Sequence, residues 1–88
     1  MSPRPTRALP TDLCVDWPER LSADPIAERA RQLALNLREA IGQRSVREIA
    51  SITGVDRATI GAVLQGKSCP DIVTLAKLEQ ELGSLWPL

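Results

Sequence analysis

The most suggestive chemistry in this 88-residue chain is a group of cations in its middle. Arg44, Arg47, Arg57 and Lys67 fall between residues 44 and 67 against only Glu48 and Asp56. That stretch carries +2 within a chain whose formal net charge is zero. The charge comes in blocks: +2 over residues 1–10 through Arg4 and Arg7, −2 over residues 11–43, +2 over residues 44–67 and −2 over residues 68–88. A neutral total argues against a polyanion as partner, whereas a basic block in mid-chain argues for an anion-facing surface. Catalysis has little to work with. Histidine is absent, which removes the commonest general base and metal ligand. Cys14 and Cys69 are too far apart to form a metal-spaced pair, and two free thiols are expected rather than a bridge. With no nucleophile–base pair and no Gly-rich phosphate loop, the expectation is no enzyme, no metal and no cofactor.

Helices must position those cations. Apolar residues make up 43%, yet Phe and Tyr are absent and Trp17 and Trp86 are the only aromatics, so the core is aliphatic. At this length one small domain of modest stability is expected. No apolar stretch approaches the ~20 residues that span a bilayer, and the Pro/Arg-rich start lacks the apolar region of a secretion signal. A cytoplasmic protein is expected. Residues 1–23 read as a flexible arm holding Pro3, Pro5, Pro10 and Pro18, with Met1 to Pro10 disordered. Within the arm, Leu13, Cys14, Val15 and Trp17 form an apolar cluster that docks on the core or on a second subunit.

Residues 24–88 carry the helical signals. Asp24 and Pro25 open a helix whose stripe is Ile26, Ala30, Leu33, Ala34, Leu37 and Ile41, ending near Gly42. Leu35 falls off that stripe. Ser45 and Glu48 have capping-box spacing ahead of a short helix with Val46, Ile49 and Ala50 inward and Gly54 as its stop. Asp56 caps a third helix with Ile60, Val63 and Leu64 inward, ending at Gly66. Pro70 and Asp71 open a fourth, with Ile72, Leu75, Ala76, Leu78 and Leu82 inward and Gly83 as its stop. The tail from Ser84 to Leu88 folds back on the core or sits in an interface.

Two of these helices, of about eight residues each, are joined by only Thr53, Gly54 and Val55. So short a turn forces a steep crossing, with small Ala50 at the contact and Val55, Ile60 and Val63 filling the space beneath. Ile49, Ala50, Gly54, Val55, Ile60 and Val63, then Gly66, Lys67, Pro70, Leu75, Leu82 and Gly83, resemble the helix-turn-helix domains of the phage repressor and Cro type, the xenobiotic-response-element family. The resemblance spans residues 26–85. It implies an all-α fold, a small four- to five-helix lambda-repressor-like domain behind a disordered N-terminal arm.

The resemblance also implies double-stranded DNA as partner, with residues 56–65 entering the major groove. Arg57, Ala58, Thr59, Gly61 and Ala62 are then the base-contact positions. Arg57 is the clearest, because its fork can pair with guanine O6 and N7; a phosphate contact or a solvated residue is the alternative. Ala58 and Ala62 could meet thymine methyls, and Asp56 is mainly a cap. Arg44, Ser45, Arg47, Lys67 and Ser68 are the phosphate positions, which orient the protein without reading sequence. Ala58, Gly61 and Ala62 depart from the polar residues common in the family, so direct readout is sparse. A homodimeric repressor that occludes promoter DNA is expected, 88 residues leaving no room for a ligand-sensing domain. Leu85, Trp86, Leu88 and Leu35 are the dimer candidates. The alternative is a protein-interaction module such as an antitoxin or adaptor, packing the small face of Ala58, Gly61 and Ala62 on a partner protein.

Overall fold

The computed structural model describes residues 17–18 and 24–87. Four helices follow in order: α1 Pro25–Ile41, α2 Val46–Thr53, α3 Arg57–Leu64 and α4 Ile72–Leu82. No strand and no fifth helix occurs among the described residues. Met1–Pro10, Leu13, Cys14, Val15 and Leu88 lie outside them.

Every helix starts on a side-chain acceptor, as its sequence requires. Asp24 accepts the Ala27 N–H at 2.8 Å and Ser45 Oγ accepts the Glu48 N–H at 3.0 Å. Asp56 accepts the Ala58 N–H at 3.2 Å and Asp71 the Thr74 N–H at 2.7 Å. Each bond satisfies one of the donors that a first helical turn leaves without a partner.

The core is aliphatic. Leu33, Leu37 and Ile41 of α1 meet Ile49 of α2, Val55 of the turn, Ile60 and Val63 of α3, Leu78 of α4 and Leu85 of the tail. Helix α3 packs on both α1 and α2, and α2 packs on α4. Two of the expected stripes are corrected. Ile26 is 77% exposed, because it lies beyond the end of the core. The α1 residues Ala27 and Arg31 are buried beside the expected Ala34, a widening of the stripe that the pattern of large apolar residues did not reveal. On α4, Ile72 is 85% exposed and Ala76 is exposed. At 3.6 residues per turn Leu75, Leu78 and Leu82 share one side, and Ala76 falls nearly opposite Leu78. Helix α3 also ends earlier than expected, at Leu64, with Gly66 following in the left-handed region at φ 71°.

The tail is anchored from two helices. Its Leu85 and Trp86 N–H groups donate to one carboxylate oxygen of Glu79, at 2.7 and 3.0 Å. From α1, the Asn36 amide donates to the Leu85 carbonyl at 2.8 Å and the Arg29 guanidinium to the Pro87 carbonyl at 2.6 Å. Leu85 is therefore core, 1% exposed, and not the surface dimer contact expected of it. Its neighbour Trp86 is the exposed residue of the pair.

The two backbone donors hold the Glu79 carboxyl below its ordinary value of 4.5. The Thr74 hydrogen bonds lower Asp71 in the same way. A carboxyl with a depressed folded-state pKa gives stability that is fully present above its unfolded value and is lost as pH falls through the folded one. The melting temperature should thus begin to fall as pH drops below about 4.5. Glu79→Gln, which cannot titrate, should melt lower than the parent at neutral pH and lose less on acidification to about pH 3, Asp71 supplying the remainder. Thermal melts by circular dichroism check this; identical acid sensitivity in both chains would show that Glu79 is no anchor.

Candidate nucleic-acid interface

The geometry of the interface is set by the three residues between α2 and α3. Gly54 takes the left-handed conformation, φ 76° and ψ 11°, and its N–H returns to the Ala50 carbonyl at 3.0 Å. That conformation strains any residue with a Cβ. Thr53 is buried and ties the corner from both sides. Its hydroxyl donates to the Ile49 carbonyl at 2.6 Å and accepts the Val55 N–H at 3.2 Å. Val55 is buried below the turn, and half-buried Ala50 packs against the core beside it. The role of Thr53 was missed from the sequence, where a Thr before a Gly reads only as the end of a helix.

With Ile60 and Val63 buried, α3 has one orientation. Its outward half holds Arg57, Ala58, Gly61 and Ala62, and Thr59 sits at the edge of that half. Arg57 and Ala58 are exposed; Thr59, Gly61 and Ala62 are half-buried. All five expected base-contact positions thus lie on one short helix, four of them on one side. The side chain of Arg57 makes no hydrogen bond or ion pair to a described residue. A Cβ built on Gly61 would meet no heavy atom within 4 Å. The fold itself therefore has no need of glycine there.

The five expected phosphate positions are all exposed. Ser45 and Arg47 stand at the start of α2, where free N–H groups and the positive end of the helix dipole favour an anion. The side chains of Arg47 and Lys67 make no hydrogen bond or ion pair to a described residue. Arg44 is different. Its guanidinium caps the end of α1, donating to the carbonyls of Ile41 at 3.3 Å and Ala40 at 2.8 Å. Ser68 donates to the neighbouring Cys69 carbonyl at 3.4 Å, and Cys69 carries a free, exposed thiol.

A helix-turn-helix family model matches residues 28–85, which takes in all four helices from the first turn of α1 to the tail. The chain belongs to the Cro/C1-type helix-turn-helix family. No curated protein and no solved structure matches it. The family is one of DNA-binding regulator domains and not of enzymes, so the α2–turn–α3 unit belongs to a DNA-binding helix-turn-helix. Among the described residues no helix is long and apolar enough to cross a membrane.

The open space at Gly61 gives a direct check of the helix-turn-helix geometry. Gly61→Ala should stabilise the chain by about 0.5–1 kcal/mol, since alanine is the better helix former by roughly that amount. Urea denaturation measures it. A loss of stability would mean that the outer face of α3 is packed against something rather than free.

Proposed function

We propose that this helix-turn-helix chain is a sequence-specific transcriptional regulator that acts as a repressor, binding a pseudo-palindromic DNA site as a homodimer with residues 56–65 as its recognition helix. One observation carries the reading: Arg57 stands exposed at the first turn of α3 without a side-chain partner among the described residues, beside an outward face of small residues. Small side chains let a helix backbone approach the base edges closely, and the Arg57 fork fits guanine O6 and N7. Arg47 and Lys67, free of described partners, supply phosphate contacts on either side of it. Ser45 and Ser68 join them through their exposed positions. Arg44 contributes charge there while its fork caps α1.

Sparse direct readout leaves specificity to dimer geometry and DNA shape, with two recognition helices about 34 Å apart. The apolar surface supports a second copy as the partner. Ile26, Pro70 and Trp86 line one groove, and Ile72 and Val73, exposed at the start of α4, come after Pro70 and Asp71 in the chain. A projecting isoleucine beside an apolar groove on one surface is what a two-fold interface uses, each copy offering knob and hole at once. Ordinary exposed apolar residues are scattered singly; a contiguous set marks an interface.

Titrating random duplex DNA at two salt concentrations tests the DNA contacts, because each neutralised phosphate releases counterion and steepens the salt dependence. On a selected site, Arg57→Ala should cost about 1–3 kcal/mol and relax preference at one base position. Lys67→Ala should weaken all sequences alike and lower the salt slope by about one. Equal, sequence-independent losses from both would make Arg57 a backbone contact. No binding at low salt, with a tight protein partner recovered instead, would favour the interaction-module reading. Separately, light scattering after gel filtration should find a dimer in the parent and a monomer in Trp86→Glu; an unchanged mass would place the subunit contact elsewhere.

A further inference from the structure

The family match begins at residue 28, yet residues 17 and 18 are part of the folded unit. Trp17 is half-buried, and its indole N–H donates to the Leu64 carbonyl at 3.0 Å. Pro18 is buried, and its carbonyl accepts from the Arg31 guanidinium at 3.0 Å. Arg31 is in turn gripped by both oxygens of Glu28, at 2.8 and 2.7 Å, and is only 8% exposed. Two adjacent residues from outside the family match therefore bridge α1 to the end of α3.

The closure of α3 explains what the indole does. The Lys67 N–H returns to the Ala62 carbonyl at 2.8 Å and the Gly66 N–H to the Val63 carbonyl at 3.2 Å, the paired bonds of a Schellman ending with glycine at its left-handed position. The Gln65 N–H returns to the Gly61 carbonyl at 3.0 Å. These bonds satisfy three of the last four carbonyls of the helix. Leu64 supplies the fourth, which the ending leaves without a backbone donor, and Trp17 provides one from 47 residues away. A tryptophan N–H that is partly withdrawn from water gains from such a partner as the carbonyl does. Directly beyond this turn come Lys67 and Ser68.

We infer that Trp17 is a positioning residue for DNA binding: with Pro18 it forms a strap that clamps the last turn of α3 to α1 and thereby fixes Lys67 and Ser68 relative to the outward face of the helix. The inference rests on the DNA-binding reading above. Its mechanism is separable from overall stability, because the strap acts on one helix end and on one phosphate-contacting loop. Removing the indole N–H frees the Leu64 carbonyl and lets the turn that carries Lys67 fray. The loop then samples positions in which its cation no longer meets the phosphate.

Trp17→Phe in the full chain keeps the aromatic ring and removes only the donor. Two measurements decide the matter: amide hydrogen exchange, with Leu78 of α4 as internal reference, and duplex affinity at several salt concentrations. Exchange should accelerate at Gln65, Gly66 and Lys67 alone, affinity should fall about twofold to tenfold, as for one lost hydrogen bond, and the salt slope should drop by about one. Arg57→Ala, measured beside it, should leave exchange at those three amides as in the parent. A residue that merely stabilised the fold would accelerate exchange everywhere and leave the salt slope as it was; that result overturns the strap. So does unchanged exchange, or unchanged affinity and slope once local exchange has risen. If the parent binds no duplex, the reading of α3 as a recognition helix falls, and exchange alone decides the strap. Acceleration confined to the three amides sustains it, and unchanged exchange overturns it.

Discussion

The whole arrangement depends on the corner between α2 and α3. Three residues must reverse a chain whose flanking helices are both tied to one core, through Ile49 on one side and Ile60 on the other. A corner that short has no slack. Gly54 supplies the backbone conformation, Thr53 satisfies a carbonyl behind it and an N–H ahead of it, and Val55 fills the space under the bend. Each of the three solves a different problem. Loss of any one would let α3 rotate or lift, and rotation by a single residue, about 100°, would replace the small outward face with buried isoleucine or valine.

A domain of this size buries a limited fraction of its surface, so its edges matter. The molecule secures them with polar ties to backbone carbonyls rather than with further apolar bulk. Trp17 holds the end of α3, Arg31 holds Pro18, Arg44 holds the end of α1, and Asn36, Arg29 and Glu79 hold the tail. Neither tryptophan serves as a core residue. One spends its N–H on a helix end and the other lies 47% exposed at the mouth of an apolar groove. The core is aliphatic throughout, as the absence of Phe and Tyr requires.

Charge is divided with the same economy. Arg31 pairs with Glu28 and is buried, and Arg29 and Arg44 cap carbonyls. Arg47, Arg57 and Lys67 have no such ties among the described residues. The zero net charge therefore says little about what the surface around α3 presents to an anion. Structural duties consume several cations elsewhere, and the basic block of residues 44–67 keeps three of its four for solvent or a partner.

Much was legible in the sequence, and for a common reason: helix starts and the α2–α3 corner are local. Asp24, Ser45, Asp56 and Asp71 each act on an N–H two or three residues away, so residue type and spacing alone determined four helices, their caps, the turn at Gly54 and the outward set on α3. The family resemblance read from the same residues agrees with the match over residues 28–85. What the sequence left open was decided by contacts between distant segments. Ile26 and Ile72 have the apolar character of core residues, yet each lies in the first turn of its helix and stays exposed. Leu85 looks like a loose tail residue until Glu79 and Asn36 fix its backbone and drop its side chain into the core. Arg31, a charge by type, is buried because Glu28 and the Pro18 carbonyl satisfy it, and Trp17 meets Leu64 across 47 residues of chain. A one-dimensional pattern records what each residue prefers; which preference is satisfied depends on what the fold brings within reach.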